Sequence, residues 1–149
     1  MIPPFNSNGK LPPGVHFCLW EEFVARFGNT QHRLNLITGL KLAMEQLQTA
    51  GCATVYIDGS FVTNKQIPGD FDACWSENDV DVNKLISIAP TSFKFDNKRA
   101  AQKAKYGGEL FPAKSEADGD GTHFLEFFQK DKDGNSKGII AIDWSGNHD

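Results

Sequence analysis

The sequence predicts a single α+β domain, a small mixed or antiparallel β-sheet with helices packed on one side. Three observations carry this. Apolar residues recur at three- and four-residue spacing over two stretches before residue 50. Runs rich in β-branched and aromatic residues follow at 53–58 and 70–75, bounded by Gly, Pro and Asp. A helical pattern and then a strand-rich one close the chain, giving the order α-α-β-β-α-α-β-β with no internal repeat. At 149 residues, 40% hydrophobic and 23% charged, the composition is that of one globular domain (1–149), large enough to bury a core without staples.

Each element has a local reason. Residues 1–18 hold Pro3, Pro4, Pro12 and Pro13, and Pro bars helix at its own position and the one before. They predict an extended arm that packs on the body through Phe5, Leu11 and Val15. Trp20, Phe23, Val24 and Phe27, with Glu21 and Glu22 at the positive end, predict a short helix over 19–27 that Gly28 ends. Thr30 is the expected N-cap of a longer helix over 31–50. Its apolar stripe is Leu34, Ile37, Leu40, Met44 and Leu47, and Gly51 is its stop. A strand is expected at 53–58, a Gly59-Ser60 turn, a polar loop, and a second strand at 70–75. Asn78 or Asp79 is the expected cap of a short helix before Pro90. A further helix spans 94–106 and is closed by Gly107-Gly108. The pattern at 123–130 and 138–144 predicts a terminal hairpin around 131–135.

Composition also excludes function classes. No apolar run approaches the ~18–20 residues of a membrane span. The first residues lack the basic head and apolar stretch of a secretory leader. With 15 Lys and Arg against 19 Asp and Glu, the net charge of −4 argues against sequence-independent grip on a nucleic-acid backbone. Cys18, Cys52 and Cys74 are odd in number, widely spaced and set among apolar neighbours. They predict buried free thiols in reducing cytosol, not a disulfide framework or a zinc knuckle.

The chemically informative stretch is Tyr56-Ile57-Asp58-Gly59-Ser60, nine residues, then Asp70-Phe71-Asp72. Residues i and i+2 of a strand share a face, so Asp70 and Asp72 present two carboxylates together. Like charges so placed weaken a strand. A divalent cation removes the objection, because Mg²⁺ takes hard oxygen ligands and is commonly shared between carboxylates and substrate phosphates. Gly59-Ser60 supplies a turn where a polyphosphate can approach the backbone and meet N–H groups and a hydroxyl.

This combination resembles the nucleotidyltransferase superfamily of the DNA polymerase beta type, whose signature is Gly-Ser after a strand and a carboxylate-x-carboxylate on the next one. The matched positions are Gly59, Ser60, Asp70 and Asp72. In size and layout the chain looks like the minimal nucleotidyltransferases, often antitoxins beside a toxin. Over nearly its full length it resembles an uncharacterised bacterial family of this fold. Its hallmarks stand here as Leu11-Pro12-Pro13-Gly14, Asp58-Gly59-Ser60-Phe61, Pro68-Gly69-Asp70-Phe71-Asp72, Tyr106-Gly107-Gly108-Glu109-Leu110-Phe111 and Lys137-Gly138-Ile139-Ile140 with Ile142-Asp143. The resemblance implies Mg²⁺ or Mn²⁺ held by Asp70 and Asp72, and an NTP, ATP among the candidates, as substrate. The acceptor it implies is a hydroxyl of a toxin protein or a tRNA.

The resemblance also implies a third carboxylate on a later strand. Glu126, an acid in the apolar run 123–129, and Asp143 are the two candidates, with Glu126 favoured by chain order. Lys65 is the base in the loop after Gly59-Ser60, and either meets the triphosphate or is solvated. Lys98, Arg99, Lys103 and Lys105 form a basic helical face, either solvated or turned toward substrate phosphates or RNA. The competing class is a non-catalytic binding module of the same fold, docking through the arm and the aromatics Phe5, Phe17 and Trp20. Asp131-Lys132-Asp133-Gly134-Asn135 opens like a calcium loop but places Ser136 and Ile142 where Gly and Glu are required.

Overall fold

A computed structural model describes residues 1–143. Five strands, β1 (Gly14–Cys18), β2 (Thr54–Asp58), β3 (Phe71–Trp75), β4 (Gly108–Pro112) and β5 (Gly138–Asp143), form one sheet in the order β1-β5-β2-β3-β4. The sheet is mixed: β2 runs antiparallel to β3 and β5, whereas β1–β5 and β3–β4 are parallel. The helices are α1 (Trp20–Phe27), α2 (Gln31–Thr49), α3 (Val82–Ile88), α4 (Asp96–Tyr106) and a single turn, α5 (Phe124–Phe127). The α+β class expected from the sequence is the one observed.

Strand alternation sorts the side chains onto two faces. Val55 and Ile57 of β2, Phe71, Ala73 and Trp75 of β3, Leu110 of β4 and Ile140 and Ile142 of β5 join the large core under helices α1 to α4. Tyr56, Cys74, Phe111 and Ile139 point the other way, into a smaller cluster closed by Ala113, Phe124, Leu125 and Phe128. The helices therefore do not all lie on one side, since the α5 segment covers part of the second face.

Helix α2 is capped as expected, with Thr30 Oγ1 accepting from Arg33 N at 3.1 Å. Its buried stripe is Arg33, Ile37, Leu40, Ala43, Met44 and Leu47, while Leu34 is 37% exposed. The stripe is thus offset by one residue at its start, and a cation occupies the core position. Helix α3 is capped not by Asn78 or Asp79 but by Asp81, whose Oδ1 accepts from Lys84 N at 3.1 Å.

Several expectations change at the level of pairing. The arm is not wholly irregular, because residues 14–18 are the edge strand β1. Residues 108–112, to which the sequence assigned no element, are the strand β4. Residues 123–130 form no hairpin strand, and β5 instead inserts between β1 and β2. The last residue of the expected closing strand, Trp144, lies outside the described residues. Trp20 is buried and Phe5 half-buried, leaving Phe17 exposed among the three aromatics proposed for an interface. Cys18, Cys52 and Cys74 are free and buried, and burial pushes each thiol well above its ordinary pKa. Among the described residues no helix is long and apolar enough to cross a membrane.

A carboxylate row as the candidate functional site

Register, not sequence proximity, builds the site. Asp58 is the last residue of β2 and stands directly opposite Asp72 of β3. Asp72 in turn stands beside Glu109 of β4. All three share the face of Tyr56, Cys74 and Phe111, so three acids cross three adjacent strands in one row. Directly opposed residues have Cβ atoms about 5 Å apart, and like charges at that distance repel. Asp70, one residue before β3, adds to the rise of the Asp72 carboxyl, and its own is raised by burial and then by Glu109, against Lys103.

The row is held by protons and bases. Lys137 Nζ lies 3.0 Å from Asp58 Oδ1. Glu109 Oε1 accepts from Arg99 Nε at 2.9 Å and lies 2.8 Å from Arg99 Nη2 and 3.6 Å from Lys103 Nζ. Asp72 and Glu109 share a hydrogen bond. Burial, that hydrogen bond and the neighbouring acids push the Asp72 carboxyl up to about 8. Burial alone would raise Glu109 as well, but the Asp72 hydrogen bond, Arg99 and Lys103 outweigh it and hold Glu109 below the ordinary range. The shared proton therefore sits on Asp72. Burial also raises Asp58, partly offset by Lys137.

A pH prediction follows from the sign of the Asp72 shift. The folded protein keeps a proton that the unfolded chain surrenders near pH 4, so stability falls as pH rises from there to about 8. Asn mimics the protonated form. Asp72→Asn should therefore melt higher than the wild type at pH 8.5, with the gap closing toward pH 4. A variant that melts lower at pH 8.5 would show that the ionised carboxylate is well accommodated.

Gly59 fits its position for two reasons. Its φ of 86° lies in the left-handed region, and a Cβ there would come 2.6 Å from Asp72 Oδ2. The Gly-Ser turn is thus pressed against the carboxylate row, and the Gly59 N–H donates to Asp58. A 3₁₀ turn, Ser60–Val62, follows. Arg33 latches this segment from below. Its Nη1 donates to Phe27 O at 3.3 Å and Phe61 O at 2.6 Å, and its Nη2 to Thr63 O at 2.9 Å and Lys65 O at 2.6 Å. The guanidinium also lies 4.9 Å from the Phe61 ring centroid. The arm completes the frame: Asn64 N donates to Gly9 O at 2.9 Å and Gly138 N to Leu11 O at 3.3 Å.

Two cavities meet at Asp58, Gly59 and Lys137. The smaller, about 280 Å³, lies between the arm and the Gly59-Ser60 turn, with Lys10 and Lys137 on its wall. The larger, about 570 Å³, runs over Asp72 and Glu109 to the aromatics around α5.

The expected site residues are only partly assembled. Gly59, Ser60, Asp70 and Asp72 lie together. Glu126 is exposed on α5, not on a strand, and does not line the larger cavity. Asp143 pairs in register with Thr54, four residues from Asp58 on β2 and about 13 Å along the strand. Lys65 is exposed and lines a separate depression with His32 and Ile67. The residues that sequence reasoning missed are Asp58, Glu109 and Lys137. Each carried a signal: an acid closing an apolar strand, an acid in Gly-Glu-Leu-Phe, and a base just before an apolar strand. The expected basic helical face is broken at its start, because Asn97, Lys98 and Arg99 have left-handed backbone angles, and Arg99 and Lys103 turn onto Glu109.

Residues 3–143 match a family of unknown function, DUF6932. The chain belongs to this family. The match spans all five strands of the DUF6932 domain and so the whole carboxylate row, the Gly59 turn and the Arg33 latch. No curated protein and no solved structure matches the chain.

Proposed function

We propose that this DUF6932 domain is a metal-dependent nucleotidyltransferase that moves an NMP from an NTP to a hydroxyl of a protein or RNA. The observation that carries the reading is the in-register row Asp58, Asp72 and Glu109, with Gly59-Ser60 packed against Asp72. The donor chemistry suits Mg²⁺ or Mn²⁺, since every oxygen in the row is a hard carboxylate and the Asp72–Glu109 contact needs a proton or a cation between its oxygens. Asp70, Asp72 and Glu109 would hold the ion, with Glu109 in the role expected of Glu126 or Asp143. Bound metal supplies charge neutralisation at the phosphates. Gly59, Ser60 and Lys137 receive the leaving phosphates. The acceptor oxygen forms its bond to the α-phosphorus, the bond from α-phosphorus to the bridging oxygen breaks, and pyrophosphate leaves with that electron pair. The acceptor proton passes to a carboxylate of the row. A cytoplasmic antitoxin acting on a toxin protein or a tRNA fits this chemistry and this size.

The test is transfer from an α-labelled NTP. The isolated domain should turn over little with ATP, CTP, GTP or UTP, because a bound triphosphate is idle until an acceptor hydroxyl is placed in line with its α-phosphorus. Its cognate partner or a tRNA pool should become labelled, and Asp70→Asn should stop labelling without stopping complex formation. Mg²⁺ with NTP should also raise the melting temperature by linkage, and Asp70→Asn with Asp72→Asn should remove that shift.

One observation favours a second reading, a non-catalytic binding module. Asp58 and Glu109 already carry basic partners, and among the described residues no three His, Cys, Asp or Glu side chains are set to hold a metal ion. If the aspartate variants protect cells from a neighbouring toxin as well as the wild type does, this second reading is the one to keep.

A further inference from the structure

The larger cavity has two unlike walls. One carries Asp72 and Glu109. The other is a run of phenylalanines that the sheet and α5 bring together from distant positions. Phe111 and Phe124 line the cavity as a stacked pair, 8° between planes and 4.1 Å between centroids, and Phe95, outside the cavity, extends the stack behind Phe111 at 10° and 6.0 Å. Phe127 stands across the end of this stack at 78° to Phe124. It lines the cavity while remaining 46% exposed. Its ring contributes little to the core, and burial of an apolar ring against a ligand would be favourable.

Cations border this wall, with Asp131 among them. Arg99 Cζ lies 5.7 Å from the Phe111 ring centroid while its other edge meets Glu109. Lys130, Lys132 and Lys137 line the same cavity. Lys137 also lines the smaller cavity beside Gly59-Ser60, so cations continue from the phosphate turn to the aromatic wall. Flat rings bordered by cations are the combination that binds nucleotides without base-specific hydrogen bonds: the π-face takes a base and the cations take its phosphates. A purely apolar ligand would leave Lys130 and Lys132 unmatched, since Arg99 and Lys137 already meet Glu109 and Asp58.

We infer that the wall formed by Phe127 and Phe124 is a stacking platform for a nucleobase whose phosphates lie toward Lys137 and the Gly59-Ser60 turn. This rests on the nucleotidyltransferase reading and gives its substrate a nucleoside subsite within the domain. The base belongs either to the NTP or to the terminal nucleotide of an RNA acceptor. Contact is through the ring face, so all four bases bind with similar affinity.

Calorimetric titration of the full chain with four probes in Mg²⁺ separates these possibilities. The probes are inorganic tripolyphosphate, ATP and CTP, and a short unstructured oligoribonucleotide. Phe127→Ala and Phe127→Leu should each weaken a base-bearing probe about tenfold and leave tripolyphosphate unchanged, whereas Phe127→Trp should retain affinity. Loss on NTP places the substrate's own base on the platform, and loss on the oligoribonucleotide alone places the acceptor's base there. Tripolyphosphate binding that Asp72→Asn removes reads the metal site separately. If tripolyphosphate fails to bind but the oligoribonucleotide still depends on Phe127, the metal reading falls and the platform stands. If no base-bearing probe responds to Phe127→Ala or Phe127→Leu, or none binds, the platform is wrong. Phe127 is exposed enough for all three variants to fold, and an unchanged melting temperature confirms it.

Discussion

Glu109→Gln is expected to reduce labelled-acceptor formation by more than about 100-fold, with Glu126→Gln near the wild-type rate. Even groups that only support a metal ligand typically contribute 10–100-fold, and a direct ligand contributes more. Ligands of one site act as a unit, so Glu109→Gln should match Asp72→Asn and the double variant should be no worse than either. The contrast is geometric. Glu109 stands beside Asp72 in the β3–β4 register, whereas Glu126 sits on an exposed turn of helix. Single-turnover labelling with purified partner measures both. A dead Glu126→Gln with an active Glu109→Gln would return the third-ligand role to Glu126.

Arg33→Met should destabilise the fold by about 3 kcal/mol, a fall in melting temperature on the order of 10 °C. The side chain is 3% exposed and donates to four backbone carbonyls, at Phe27, Phe61, Thr63 and Lys65. Met fills similar volume but donates nothing, so those carbonyls are left buried or must open to water. Arg33→Lys keeps the charge but loses the planar fork that reaches carbonyls on both sides, and should recover less than half. Because three of the four carbonyls belong to the segment after Gly59-Ser60, metal–NTP affinity should fall along with stability. Urea unfolding at constant m reads the first effect and calorimetry the second. A loss below about 1 kcal/mol would mean that water serves those carbonyls and that Arg33 is no anchor.

The local elements were legible in the sequence because their causes are local. Thr30 caps α2, the spacing of Trp20, Phe23 and Phe27 fixes the buried face of α1, and alternation marks β2 and β3. Gly59, Ser60, Asp70 and Asp72 could be read together because one turn and one i, i+2 spacing define them. Their partners could not. Glu109 lies 37 residues beyond Asp72, and its short strand had no helix-breaking signal apart from Gly107-Gly108. Glu126 offered a similar acid in an apolar run, and nothing local distinguishes a four-residue helix from a strand there. Arg33 is a charge inside an apolar stripe, and only the loop carbonyls gathered around it make its burial tolerable.

By itself, the sequence determined the α+β class, the Thr30 cap of α2, the buried thiols and one half of a candidate acidic site. Tertiary structure decided the rest: the insertion of β5 between β1 and β2, the row from Asp58 through Asp72 to Glu109, and the bases that hold it. The physical reason is that periodicity and capping act over one or two turns of chain. Strand register and charge compensation instead join residues separated by tens of positions, and they are fixed only when the sheet closes over its core.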